Sequence, residues 1–128
     1  MNQQAKAQQQ QFTTEALNAL IIESIQDIKG KNILKLDLRH LDDAPTDFFI
    51  VCEADSNTQV KAISENIQKR LKQEASTFAS HVEGERAAHW ICLDYFHTVA
   101  HVFHQERRNF YELENLWSDA KVTQYQSL

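Results

Sequence analysis

Residues 47–75 constrain the fold of this chain more than any other segment. They open with the unbroken apolar run 48–52, which lacks the alternation of a strand with one solvated face and so predicts a central strand covered on both faces. Three candidate N-cap residues at positions 55–57 follow. Apolar residues at 60, 63, 67 and 71 then share one helix face. We therefore predict a buried strand that leads into a helix ending near Ala75.

Apolar periodicity outlines the other elements of secondary structure. It predicts a helix from about Thr14 to Lys29, followed by a strand in which leucines at 34, 36 and 38 alternate with polar residues and leave one face solvated. A short strand at 81–83 and an antiparallel hairpin formed by 90–94 and 99–104 come next. A last helix is predicted at about 107–117. The chain is therefore expected to fold as an α/β domain with a mixed sheet of about five strands flanked by helices.

The two ends of the chain differ from its middle in composition. Residues 2–11 include six glutamines and almost no apolar side chains, so they bury too little surface to offset the entropy of ordering. We expect residues 1–12 to form a disordered glutamine-rich leader and residues 13–120 to form one domain. Residues 121–128 show no periodicity and are expected to be a C-terminal tail.

The charge balance argues against direct binding to nucleic acid. Thirteen Lys and Arg residues stand against eighteen Asp and Glu, for a net charge of -5. Clustered cations, which release counterions from phosphates, are missing from the sequence. No run of eighteen apolar residues and no secretory signal are present, so we expect no membrane association and a cytoplasmic location. Cys52 and Cys92 lie in strand-forming runs and are expected to be buried free thiols.

Histidines are frequent enough to raise the question of a metal site. The candidates are His81, His89, His97, His101 and His104. In a strand at 99–104, His101 and His104 point to opposite faces, so their imidazoles diverge. We predict no metal site and no cofactor.

Acid and base catalysis would have to use Asp37, Asp47 or Asp94, which lie within or beside predicted strands. Such aspartates are also common as caps of turns and helices. The two glycines, Gly30 and Gly84, form neither a phosphate-binding loop nor a nucleophile elbow. We therefore predict no catalytic residues and no enzymatic activity.

A hydrophobic core does not fully explain where the large residues of the predicted hairpin are placed. In the first strand Ile91 and Leu93 share one face, while Trp90, Cys92 and Asp94 share the other. In the second strand His101 lies between Val99 and Phe103. An aromatic, imidazole and carboxylate surface resembles a protein-binding patch in composition. The alternative, that a helix covers this face and Trp90 belongs to the core, is equally compatible with the sequence.

The order of motifs resembles the ribosomal silencing factor family of bacteria and organelles, also called the Iojap or YbeB family. The matching segments are Asp37-Leu38-Arg39, Thr46-Asp47-Phe48-Phe49-Ile50-Val51-Cys52, Ser56-Asn57-Thr58-Gln59-Val60-Lys61-Ala62-Ile63, Glu83-Gly84, Trp90-Ile91-Cys92-Leu93-Asp94-Tyr95, Val102-Phe103-His104, Phe110-Tyr111-Glu112-Leu113-Glu114-Asn115-Leu116-Trp117 and Asp119-Ala120. The resemblance covers residues 15–120. One departure is Phe96-His97, which stands where many members carry a Gly-Asp type of turn.

The resemblance implies a small three-layer α/β domain related to nucleotidyltransferases but without their catalytic motif. It also implies a translation repressor that binds the fourteenth protein of the large ribosomal subunit and sterically blocks joining with the small subunit when nutrients are limited. An acidic domain suits a basic ribosomal protein. By resemblance, the expected contact residues are Trp90, Leu93, Asp94 and Tyr95, with His101 and Phe103 as weaker additions.

Two alternative functions come from other classes. A nucleotidyltransferase-type enzyme would need a phosphate-binding loop and metal carboxylates, and binding of nucleotide and divalent metal would reveal it. A general dimeric interaction module is the other alternative, because exposed apolar surface favours a homodimer of the free protein.

Overall fold

The computed structural model describes residues 12–108 and 118–128. In this part of the chain, a six-stranded mixed sheet carries two helices. The helices are α1 (Thr14–Asp27) and α2 (Asn57–Ala75), and residues Gln105–Arg107 form a 3-10 turn. The strands are β1 (Lys31–Asp37), β2 (Phe48–Ala54), β3 (His81–Glu83), β4 (Trp90–Asp94), β5 (Thr98–His104) and β6 (Lys121–Tyr125). The predicted α/β class and mixed sheet are confirmed.

The strands lie in the order β3-β4-β5-β2-β1-β6. The central strands β2 and β5 run parallel, and every other neighbouring pair is antiparallel. The predicted hairpin is present, with Trp90 opposite Phe103 and Cys92 opposite His101. Strand β2 is buried along almost its whole length, as its unbroken apolar run predicts.

Helix boundaries follow from capping residues. The side chain of Thr13 accepts a hydrogen bond from the Ala16 N–H and begins α1, which ends two residues before the predicted Lys29. At α2, the Ser56 side chain accepts the N–H of Gln59, so Ser56 is the N-cap among the three candidates. The helix ends at Ala75, as predicted, where Ser76 adopts a left-handed φ of 49°.

The main core lies between the sheet and the two helices. Apolar stripes from both helices meet the same face of β2, β4 and β5. Its largest fully buried members include Ile21, Ile25, Ile50, Ile63, Ile67, Ile91 and Leu93. A second cluster on the opposite face contains Leu36, Leu38, Phe49, Val51 and Phe103. The sheet therefore has a helix-side face and an opposite face, and both bury apolar residues.

The structure differs from the sequence-based expectations at strands β6 and β1. Residues 121–128 are not simply an irregular tail, because β6 pairs with β1 along the sheet edge. Strand β1 does not have one solvated face, because Ile33 is fully buried on the helix side and Lys35 lies near the rings of Phe48 and Tyr125. The leader 1–12, apart from Phe12, and the predicted last helix at 107–117, apart from residues 107 and 108, lie outside the described residues. The family resemblance implies a domain of three layers, and its third layer stays a prediction.

Candidate functional site

Strand β4 divides its side chains between the two faces of the sheet as the sequence predicts. Ile91 and Leu93 are fully buried in the helix-side core. Trp90 and Asp94 point to the opposite face, which they share with His101 and Phe103 of β5. Because side chains alternate along a strand, one short segment supplies both core residues and surface residues.

Trp90 is a large exposed residue of this face. Its side chain stacks on Phe103, its cross-strand partner, with 5.0 Å between ring centroids and 20° between ring planes. Half of the residue is exposed to solvent. Trp90 therefore combines a fixed ring with accessible aromatic surface, which is the usual character of an anchor in a protein interface.

Gly84 brings the backbone of Trp90 close to the end of β3. A Cβ atom at this position would collide with the carbonyl oxygen of Trp90, and its φ of 89° favours glycine. The Ala88 N–H donates to the Gly84 carbonyl across the connection, at 2.9 Å. Gly84 thus acts through the backbone, by allowing the close approach of Trp90 at the start of β4.

His101 lies beneath the exposed tryptophan. Its Nδ1 accepts a hydrogen bond from the indole Nε1–H of Trp90 at 3.1 Å, and its ring meets Phe49 edge-on with centroids 4.8 Å apart. Only 6% of the residue is exposed, and this burial lowers the pKa of His101 from 6.5 to about 4. The imidazole is therefore neutral near pH 7.

Asp94 ends β4 at a tight turn. Its Oδ1 accepts the backbone N–H of Phe96 at 2.8 Å, and the Thr46 hydroxyl donates to the Phe96 carbonyl at 2.9 Å. Phe96 has a φ of 75° and is 76% exposed. This exposed aromatic residue lies two positions from Asp94, and the sequence marks it only as a departure in the turn.

A cleft of about 530 Å³ is lined by this turn and by the segment before β2. Its walls carry two carboxylates, Asp47 and Asp94, together with Phe96. The Asp47 carboxylate also lies 3.1 Å from Nδ1 of His97. The cleft adds acidic and aromatic groups around Asp94, at the end of β4 that is away from Trp90.

Not every expected contact residue is accessible. Leu93 is fully buried in the helix-side core, and Tyr95 is 6% exposed and packs in the same cluster. Phe103 is 3% exposed and His101 only 6%. The prediction that Leu93 and Tyr95 offer their side chains to a partner does not fit their positions, because strand alternation directs Leu93 toward the helices. Trp90 is therefore the most exposed of the expected set.

The aspartates considered for catalysis each have a structural partner. The Arg39 guanidinium hydrogen-bonds Asp37 and holds the pKa of that carboxyl at about 2. Asp47 faces His97, and Asp94 holds the turn at Phe96. These contacts assign the three carboxylates structural roles.

Neither cysteine has the environment of a nucleophile. Both are free; Cys52 is buried and Cys92 is only partly buried, whereas both were expected to be buried. Burial raises the pKa of Cys52 to about 12 and also raises that of Cys92.

Within residues 12–108 and 118–128, no three His, Cys, Asp or Glu side chains are grouped to hold a metal ion. Neither described helix is long and apolar enough to cross a membrane.

The fold and this surface define the class of the protein. It is a small α/β interaction domain whose accessible side chains are aromatic and acidic. Residues 10–128 match the family model described as ribosomal silencing factor during starvation. The chain belongs to the ribosomal silencing factor family. Relatives in this family are named for a regulatory role, in agreement with the prediction that the chain is not an enzyme.

Individual relatives support this membership over most of the chain. The ribosomal silencing factor RsfS of Halalkalibacterium halodurans is 30% identical over 117 residues, which cover 91% of this chain and 98% of that protein. The factor of the same name from Chromobacterium violaceum is 37% identical over 110 residues, covering 84% and 86%. A crystal structure of a Chromobacterium violaceum protein superposes with a TM-score of 0.76 at 35% identity, covering 83% of this chain and 87% of that one.

Proposed function

We propose that this protein represses translation by binding the large ribosomal subunit through its fourteenth protein and blocking joining with the small subunit when nutrients are limited. Membership of the ribosomal silencing factor family supports a ribosomal partner. The observation that carries the proposed contact is the half-exposed ring of Trp90, held on Phe103 on the sheet face that also carries Asp94 at the far end of β4. With a ribosomal partner, the protein would act in the cytoplasm.

Charge supports a protein partner over ribosomal RNA. The chain has a net charge of -5, and the cleft at the end of β4 away from Trp90 is lined by the carboxylates of Asp94 and Asp47. An acidic surface is repelled by phosphates and attracted to a basic protein. Blocking of subunit joining by occupation of a contact face requires no chemical step, consistent with a surface that serves binding alone.

We assign the proposed contact residues by how exposed their side chains are. Trp90 and Asp94 supply the central contacts, and Phe96 extends them at the turn. His101 and Phe103 support the ring of Trp90 from below. Leu93 and Tyr95 contribute by keeping β4 and its turn attached to the core.

Sedimentation with purified subunits tests the function. We expect the protein to travel with large subunits and not with small subunits, and to reduce the yield of whole ribosomes when both are mixed. Because the partner is a protein, the affinity should fall less steeply with salt than that of a cationic RNA binder. Equal binding to both subunits, or undiminished formation of whole ribosomes, would contradict the proposal.

Trp90→Ala tests the contact surface. We expect it to weaken binding to the large subunit by about 2 kcal/mol, roughly thirtyfold, because an exposed aromatic anchor is lost. Phe78→Ala is the matched control, since Phe78 is 69% exposed and lies over Lys72 of α2. Equal losses in the two variants would show that Trp90 is not a specific contact.

Self-association of the free protein is also proposed. A second copy would cover the exposed aromatic surface at Trp90 in the absence of a ribosome. Sedimentation equilibrium of the wild type and of Trp90→Ala tests this. A monomer at all concentrations, or a dimer unaffected by the substitution, would contradict a homodimer built on this surface.

A further inference from the structure

The hydrogen bond between Trp90 and His101 joins an exposed residue to a buried one. An indole has one hydrogen-bond donor, and the Nε1–H of Trp90 gives it to Nδ1 of His101 at 3.1 Å. The two residues are diagonal neighbours on adjacent strands, because Trp90 lies opposite Phe103 and His101 lies opposite Cys92. The indole therefore reaches across the sheet surface to the imidazole and stays parallel to Phe103.

The surroundings of His101 hold the imidazole in the state that accepts this bond. Nδ1 accepts the indole N–H only in the neutral tautomer that carries its proton on Nε2. Burial disfavours the charged form, and the edge-on contact with Phe49 fixes the ring plane. Orientation and protonation state are thus both set by the packing around His101.

A histidine at position 101 lowers the stability of the core. Its Nε2 is buried and has no hydrogen-bond partner among the described residues. A buried polar atom without a partner is destabilising, whereas phenylalanine would fill a similar volume without that cost. The feature that a histidine supplies here, and phenylalanine does not, is the acceptor that holds Trp90.

We propose that His101 is a positioning residue for Trp90: by accepting the indole N–H it fixes the ring for partner binding, so that the partner meets an aromatic face without a free donor. This inference rests on the proposed function for the identity of the partner. His101 itself is buried and touches the partner only through the tryptophan. The side chain that the large subunit presents to Trp90 is therefore apolar or cationic, since either class binds an aromatic face.

Hydrogen exchange at the indole N–H tests the positioning role without a ribosome. The chain contains two tryptophans, so the Trp90 signal in a nitrogen-15 NMR spectrum is assigned by its loss in Trp90→Phe. We expect His101→Phe, which keeps a ring and removes the acceptor, to speed exchange of this proton severalfold. His101→Asn places an oxygen near the position of Nδ1 and should recover part of the protection. Unchanged exchange in His101→Phe would overturn the proposal.

A double-mutant cycle tests the consequence for binding. We expect His101→Phe to weaken binding to purified large subunits about fivefold in the wild-type background. In the Trp90→Phe background, which lacks the indole donor, the same substitution should change binding less than about twofold. Equal losses in both backgrounds would overturn the proposal. So would a folded His101→Asn that is as weak as His101→Phe, because the acceptor that asparagine supplies would then recover no binding.

The two experiments separate this inference from the proposed function. If the wild type does not bind large subunits, the proposed function fails, and the exchange measurement alone decides whether His101 holds Trp90. If the wild type binds and exchange does not respond to His101→Phe, the function stands and the positioning role fails. Melting curves of each variant show that the compared proteins are folded.

Discussion

Asp94 holds Phe96 in a backbone conformation that residues with a side chain rarely adopt. The Asp94 carboxylate accepts the Phe96 N–H at 2.8 Å, and the N–H of His97 donates to the Tyr95 carbonyl at 3.0 Å across a three-residue turn. Phe96 has a φ of 75° at the centre of this turn and is 76% exposed. Backbone strain is maintained here by surrounding hydrogen bonds, a feature often found at functional surfaces.

Phe96→Gly should relieve that strain. We expect it to raise the free energy of unfolding by up to about 1 kcal/mol, because the relief of about 1–2 kcal/mol exceeds the added entropy of an unfolded glycine. Chemical denaturation measures the change. Phe78→Gly is the control, because Phe78 is exposed without a positive φ and should only lose stability. Equal losses in both variants would show that the turn at Phe96 is unstrained.

Asp94→Asn separates the charge of this residue from its role in the turn. An asparagine oxygen still accepts the Phe96 N–H, so we expect unfolding free energy to change by less than about 1 kcal/mol. Binding to the large subunit should weaken and should lose part of its salt dependence, because a carboxylate that faces a basic protein is removed. Asp94→Ala should lower both stability and binding. Full binding by Asp94→Asn would place this charge outside the interface.

His101 should make stability depend on pH between about 4 and 6.5. Its pKa is 6.5 when unfolded and about 4 when folded, so the unfolded chain binds more protons in this interval. Stability should therefore fall as pH drops from 6.5 toward 4, by roughly 3 kcal/mol at most. Chemical denaturation at pH 7 and at pH 4.5 gives the loss of unfolding free energy for the wild type and for His101→Phe. The loss in the wild type minus the loss in His101→Phe is the part due to His101. Identical declines would contradict the low pKa of His101.

Leu93→Ala should behave as a core substitution. Leu93 is fully buried against the helices, so we expect a loss of about 2–5 kcal/mol in unfolding free energy. Below its melting transition, the variant should bind large subunits nearly as well as the wild type, whereas Trp90→Ala should show the reverse pattern. A stable Leu93→Ala that fails to bind would restore Leu93 to the contact set.

Tyr95→Phe tests a buried hydroxyl. The Tyr95 oxygen is buried and has no hydrogen-bond partner among the described residues, and this burial raises its pKa to about 12. Because removal of an unpaired polar group relieves a desolvation cost, we expect stability to rise by about 1 kcal/mol. Thermal melting of the variant beside the wild type measures the change. A lower melting temperature would show that the hydroxyl is hydrogen-bonded in solution.

The sequence predicts best those elements whose pattern is local. The apolar run of β2 and the stripe of α2 need no knowledge of the rest of the chain, and Ser56, one of the three predicted candidates, caps the helix. Strand β6 was missed for the opposite reason. Val122 is 49% exposed and the strand is mostly solvent-accessible, so its place in the sheet depends on backbone pairing with β1. Backbone pairing leaves no mark in the spacing of apolar residues.

The sequence by itself determined the α/β class, the family resemblance and the division of β4 into two faces, because alternation and helical spacing are properties of a few neighbouring residues. Which face carries the helices was decided only by tertiary structure. Packing placed Leu93 in the core and left Trp90 half exposed. It also brought His101 to the indole nitrogen across two strands, a contact between residues eleven positions apart that exists only once β4 and β5 are in register.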